Sequence, residues 1–85
     1  MLNIRFANRM KRDVKLMKKR GKDIAKLEWI LERLATEEVL PEKYKDHQLK
    51  GEWQGFRECH IEPDWLLIYR IEDNELTLYA TATGS

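Results

Sequence analysis

Two histidines, His47 and His60, stand 13 positions apart in the stretch Tyr44–Trp65, among Lys50, Arg57, Cys59, Asp64 and Trp65. Imidazole is the one side chain whose unperturbed pKa, about 6.5, lets it give or take a proton near neutral pH. Two of them beside lysine, arginine and aspartate make a candidate acid–base centre. The same stretch holds potential metal ligands in His47, Cys59, His60 and Asp64. Adjacent Cys59 and His60 point to opposite faces of a strand, however, and the C-x-x-C or H-x₃-H spacing of structural zinc is missing. No metal and no cofactor is therefore expected, and Cys59 reads as a small buried hydrophobe rather than a nucleophile.

Hydrophobic spacing supplies the elements that must hold these residues. Leu2–Phe6 alternates Leu2, Ile4 and Phe6 against Asn3 and Arg5, a short strand with one buried face. Asn8 can cap a helix running to about Arg20, with Met10, Val14 and Met17 on one face and Arg9, Arg12, Lys15 and Lys19 on the other. Gly21 breaks it, and Asp23 falls in the first turn of a second helix. There Ile24, Leu27, Ile30 or Leu31, and Leu34 recur at helical spacing until near Glu38. Leu40-Pro41 opens an irregular segment that carries Tyr44–His47.

The period then changes to two. Gln48–Lys50 reads as a short strand, Gly51–Gly55 as a turn and Phe56–Ile61 as a second strand. On that strand Arg57, Cys59 and Ile61 share one face, and Phe56, Glu58 and His60 the other. Glu62-Pro63-Asp64 turns the chain into Trp65–Ile71, the most hydrophobic and hence central strand. Glu72–Asn74 is a hairpin turn before a last strand, Glu75–Thr81. The expectation is an α+β fold: an N-terminal strand and a helical hairpin packed on a twisted, antiparallel four-stranded sheet, whose polar face is left for function.

At 85 residues the chain is near the lower limit for independent folding, so one domain with a thin core is expected over residues 1–85. A shallow surface site acting on a larger partner suits that size better than a deep pocket. The formal charge of +1 hides a strong asymmetry: residues 1–36 carry eleven Lys and Arg against four Asp and Glu, and residues 37–85 the reverse excess, five against eleven. A basic half of this kind can neutralise phosphates, which favours nucleic acid or ribosomal surfaces; the plainer reading is a solvated helical face. One cysteine permits no internal disulfide, and no apolar run is long enough for a signal peptide or a membrane span. A cytoplasmic protein with no membrane partner is expected.

The run Tyr44-Lys45-Asp46-His47-x-Leu49-x-Gly51-x-Trp53-x-Gly55-Phe56-Arg57-Glu58-x-His60-Ile61-Glu62-Pro63-Asp64-Trp65-x-Leu67-Ile68-Tyr69 resembles the YafQ-type toxins of bacterial type II toxin–antitoxin systems, within the RelE/ParE superfamily. The similarity reaches back through Lys11–Leu16 and the Lys-Arg-Gly-Lys helix junction, so it spans nearly the whole chain. The resemblance implies a RelE-like fold and a ribosome-dependent messenger-RNA endonuclease held inactive by a cognate DinJ-like antitoxin. A toxin–antitoxin heterotetramer is one assembly it allows.

Carried over by the resemblance, His47, His60 and Asp64 are the proton-transfer candidates, while Lys50, Arg57 and Trp65 would contact RNA. Metal-free RNA cleavage needs a base for the ribose 2′-OH, cations at the phosphorane and an acid for the leaving 5′-oxygen. Each residue also has a plainer reading. His60 can be a hydrogen-bonded strand histidine, His47 an exposed loop histidine, and Asp64 a turn residue capping its own backbone. Arg57 can pair with Glu58 or lie at the sheet edge, and Trp65 can cover the core instead of stacking on a base. Trp53 reads as packing or a turn cover, and Trp29 as structural. Lys15, Lys18 and Lys19 on the first helix are expected to meet ribosomal RNA. The family pattern Arg-Thr-Gly-(Ser/Thr)-His is departed from: the chain reads Ala82-Thr83-Gly84-Ser85, with alanine at the arginine position and no following histidine. A weakened nuclease is therefore expected. The alternatives are an inactive toxin fold that only binds its antitoxin or the ribosome, and a ParE-like gyrase inhibitor, a type that lacks the histidine pair.

Overall fold

The structure, a computed structural model, describes residues 1–84; Ser85, the last residue of the tail motif, lies outside the described residues. A strand β1 (Asn3–Phe6) leads into helices α1 (Asn8–Lys19) and α2 (Ile24–Ala35). After a 3₁₀ turn at Glu42–Tyr44 come β2 (His47–Gln48), a second 3₁₀ turn at Gly51–Trp53, β3 (Arg57–Glu62), β4 (Trp65–Glu72) and β5 (Glu75–Thr83). The strands form one five-stranded sheet in the order β1-β5-β4-β3-β2, so the hydrophobic β4 is central as expected. The expected four-stranded antiparallel sheet gains a fifth member, because β1 pairs in parallel with β5 and makes the sheet mixed. The expected strand at Gln48–Lys50 shifts to His47–Gln48, since Lys50 already precedes the 3₁₀ turn.

Helix boundaries follow local hydrogen bonding more than hydrophobic period. Asn8 does not cap α1: Ala7 holds that position with no side-chain cap, its own N–H being donated to the Leu78 carbonyl across the sheet edge. Asp23 is itself the cap of α2, its Oδ1 accepting from the Ala25 N–H at 3.0 Å. Both helices end in the same doubly bonded turn. In α1 the Lys22 N–H reaches the Met17 carbonyl and the Gly21 N–H that of Lys18, with Gly21 left-handed at φ 78°. In α2 the Glu38 N–H reaches the Arg33 carbonyl and the Glu37 N–H that of Leu34. Here the left-handed residue is Glu37, at φ 59°. This stops the helix at Ala35, three residues before the expected end near Glu38.

Both helices cover one face of the sheet, α1 lying mainly on β5. The core between them joins Met10 and Met17 of α1, Leu27, Ile30, Leu31 and Leu34 of α2, and Cys59, Ile61, Trp65, Leu67, Tyr69, Leu76 and Leu78 of the sheet. One polar clamp ties the layers together. Asp13 accepts the Thr81 N–H at 3.1 Å; the Thr81 hydroxyl donates to the Leu66 carbonyl at 2.6 Å and accepts from the Trp65 indole at 2.8 Å. Among the described residues no buried side-chain polar atom lacks a partner. Among the described residues no helix is long and apolar enough to cross a membrane.

A left-handed backbone at a non-glycine residue costs about 1–2 kcal/mol, so Glu37 is a strained stop where glycine would fit. Glu37→Gly is expected to stabilise the fold by about 1 kcal/mol, raising the midpoint of thermal unfolding by about 4–8 °C. A lower midpoint in calorimetry would contradict this account of the helix end.

Candidate acid–base face

Strand alternation and pairing place the histidines. His47 opposes Glu58 across the β2–β3 ladder, and Glu58 opposes Ile68, which opposes Ala80. One step along the sheet lies a second row, His60, Leu66 and Ala82. Both rows lie on the sheet face away from the helices. His47 and His60 are thus brought together, and the residue between them is Glu58: its Oε1 stands 3.6 Å from His47 Nε2 and 3.9 Å from His60 Nε2.

Each imidazole is oriented by a backbone carbonyl on its other nitrogen. His47 Nδ1–H donates to the Lys45 carbonyl at 2.6 Å, an arrangement made by Lys45 adopting a left-handed conformation, φ 49°. His60 Nδ1–H donates to the Pro63 carbonyl at 3.2 Å, supplied by the β3–β4 turn. With Nδ1 protonated in both rings, the two Nε2 atoms are left for proton transfer. The site is open: the side chains of His47 and His60 are 48% and 23% exposed, enough for a polymer to reach both.

The irregular segment carrying His47 is anchored by Asp46. Its Oδ1 accepts from the Tyr69 hydroxyl at 2.6 Å and from Arg57 Nε at 3.2 Å. Burial of Tyr69, reinforced by its bond to Asp46, holds the phenol well above its ordinary range, so it stays a donor. Burial opposes the Arg57 charge, but its interactions with Tyr69 and Asp46 outweigh this and raise its pKa further. Arg57 pairs with Asp46 rather than Glu58 and lies on the sheet face opposite His60. This corrects the expectation of a free phosphate ligand: its guanidinium holds the loop.

Two further expectations change. Trp65 is fully buried, with its indole N–H donated to Thr81, so it covers the core and offers no surface to a base. The aromatic surface on the open face is instead Trp53, Phe56 and Tyr79, packed edge-to-face with centroids 5.4–5.6 Å apart and flanked by Arg70 and Arg9. Tyr79 reaches that face by alternation from the buried Leu78, at the point where the pairing register slips by one residue between Ile68 and Tyr69. Asp64 is exposed, and its carboxylate stands 3.7 Å from Lys22 rather than against an imidazole. The carboxylate between the histidines is Glu58, which the sequence already placed on the His60 face but which charge and spacing alone did not single out. Lys50 is exposed with no ion pair among the described residues, as are Lys15, Lys18 and Lys19 of α1. Cys59 is buried; desolvation, reinforced by Asp46 and Glu58, pushes its thiol up to about 12, so it is not a nucleophile near neutral pH.

A helical hairpin with exposed lysines thus lies on one side of a small twisted sheet, and an open His–Glu–His face on the other. The chain belongs to the YafQ family: the family model described as "Bacterial toxin of type II toxin-antitoxin system, YafQ" matches residues 2–85. The mRNA interferase toxin YafQ of Escherichia coli K12 is 43% identical over 82 residues, covering 95% of this chain and 89% of that protein. The crystal structure of YafQ from E. coli strain BL21(DE3) superposes with a TM-score of 0.91 at 40% identity, over 98% of this chain and 93% of the other. A crystal structure of the E. coli DinJ–YafQ complex matches with a TM-score of 0.90, at the same identity and coverage.

Asp46→Ala strands Arg57 and removes the acceptor of a buried phenol, so it is expected to destabilise the protein by about 2–3 kcal/mol in denaturant unfolding. It should also release His47, seen as a changed ring environment in NMR, while His60 is unaffected. Unaltered stability together with an unmoved His47 signal would show that Asp46 is not the anchor.

Proposed function

We propose that this chain, acting as one domain over residues 1–85, is a toxin that cuts messenger RNA on translating ribosomes in the cytoplasm. The observation that carries this reading is the His47–Glu58–His60 cluster on the open sheet face. One imidazole takes the ribose 2′-OH proton through Nε2 while the other delivers a proton to the leaving 5′-oxygen. The products are a 2′,3′-cyclic phosphate and a 5′-hydroxyl. Each transfer contributes typically 10²–10⁴-fold. Glu58 stabilises whichever ring carries the extra proton, and the Lys45 and Pro63 carbonyls keep both rings aimed. Asp64 acts on His60 indirectly, as part of the turn that presents the Pro63 carbonyl. RNA bases stack on the Trp53–Phe56–Tyr79 surface, and Lys50 meets the backbone.

The weak element is cationic stabilisation of the phosphorane. Ala82 lies in the same cross-strand row as His60, exposed on the open face, and an arginine there would point at the reacting phosphate. A DinJ-like antitoxin is the proposed inhibitor, as the E. coli relative is solved in complex with DinJ. The gyrase-inhibitor alternative has no use for the paired imidazoles, and the histidine cluster therefore favours the nuclease.

The test is translation in vitro with primer extension on the message. The parent chain is expected to cut in-frame sites weakly, His47→Ala and His60→Ala to lose 10²-fold or more, and Ala82→Arg to raise cutting about ten-fold or more. Cutting unaffected by either histidine change would sink the reading. The unpaired lysines of α1 are the proposed ribosome contact. Reversing Lys15, Lys18 and Lys19 to Glu is expected to abolish co-sedimentation with ribosomes at physiological salt, whereas full retention would place the contact elsewhere.

A further inference from the structure

His60 has a second side. Beyond the Glu58 cluster, His60 lines a cleft of about 390 Å³ between α2 and the β3–β4 turn, bounded also by Trp29, Tyr44, Lys26, Lys43, Glu62 and Pro63. We propose that this cleft is a nucleobase subsite, which takes up one base of the RNA next to the bond held at His60. The inference rests on the RNA-cleavage reading and deepens it, naming where a neighbouring nucleotide is recognised.

Four features converge on that occupant. The volume falls within the roughly 300–1,000 Å³ of small-ligand clefts. One wall is aromatic: Trp29 and Tyr44 lie 5.6 Å apart at 34°, and Trp29 is 39% exposed although Trp65 is buried completely. A partly exposed indole beside a phenol is a stacking surface for a flat ring, and stacking carries much of single-stranded RNA recognition. The rim carries Lys26 and Lys43, a net cationic lining that suits a polyanion.

The fourth feature is the Glu62 carboxylate. A bare carboxylate would repel RNA, but this one accepts from Lys22 at 3.1 Å and Lys26 at 2.7 Å, which offsets its charge. Its remaining lone pairs can accept from the exocyclic amino group of adenine, cytosine or guanine; uracil has no amino group and offers only its N3 imide N–H. The β-bulge between His60 and Glu62 makes the arrangement available, turning Glu62 towards the helix side opposite Trp65 while His60 keeps the open face. The chain thus places an acid–base residue and a base-reading carboxylate two positions apart, on opposite sides of the sheet rim.

The test is NMR titration of the full chain with short single-stranded oligo(A), oligo(C), oligo(G) and oligo(U), following the His47 and His60 rings and the Trp29 indole. The Trp29 and His60 signals are expected to shift together. Trp29→Ala should weaken binding about ten-fold, Trp29→Phe should retain most of it, and oligo(U) should bind least well. Should Trp29→Ala fail to fold, the exposed Lys43→Glu serves in its place, and unweakened binding by that variant overturns the proposal. RNA that shifts both histidines but leaves Trp29 unmoved overturns the subsite and leaves the nuclease reading standing. No binding of any oligomer by the unaltered chain overturns the subsite, while the nuclease reading stands or falls by the translation assay. Loss of antitoxin binding in Trp29→Ala with RNA binding unchanged overturns the subsite and gives the cleft to the protein partner.

Discussion

The carboxylate of Asp46 is the contact on which the working face depends. It is shared by a buried phenol and a half-buried guanidinium, Tyr69 on the central strand and Arg57 at the start of β3. Around it the chain has little regular structure: a single 3₁₀ turn before it and a two-residue strand after it. A segment with so few backbone hydrogen bonds would ordinarily be mobile. Charge-assisted bonds inside a partly dry environment hold it instead. They fix the next residue, His47, against Glu58. His47 is therefore positioned by a polar contact at the edge of the core as much as by the strands.

The sheet serves two surfaces, and the register slips keep them separate. On the helix side it buries Cys59, Leu67, Tyr69 and Leu78; on the other it presents His60, Glu58, Leu66 and Ala82. In a regular ladder Glu62 would follow His60 to the open face, and Ala80 and Ala82 would follow Leu76 and Leu78 towards the helices. The bulge in β3 sends Glu62 to meet Lys22 and Lys26, and the one in β5 turns Ala80 and Ala82 out beside Ile68 and Leu66, next to the outward Tyr79. A small domain gains in this way an acid–base cluster, an aromatic surface and an ion-paired rim from three short strands, without enlarging its core. Among the described residues the left-handed non-glycine positions are Glu37, Lys45, Asp73 and Asn74, and of these Lys45 bonds to His47.

The sequence by itself determined the order of elements, the hydrophobic face of each helix, the central strand and the separation of His60 from Cys59. These follow from periods of 3.6 and 2, which are local properties of the chain. His60 and its side of the sheet were legible for the same reason, whereas His47 reads as a loop residue and gained its side only by pairing with Glu58. The tertiary structure decided what alternation cannot express. Asp46, 11 positions from Arg57 and 23 from Tyr69, became the anchor only once β3 and β4 paired beside the loop. Glu58 became the carboxylate between the histidines only through cross-strand register. Trp65 was lost to the core because the Thr81 hydroxyl, 16 residues away, received its indole N–H, and Trp29, which reads as plain scaffold on its helix, was left half open at a cleft. Residue type and spacing specify which groups a strand or helix can offer; pairing register and burial, which depend on distant residues, select the ones that meet.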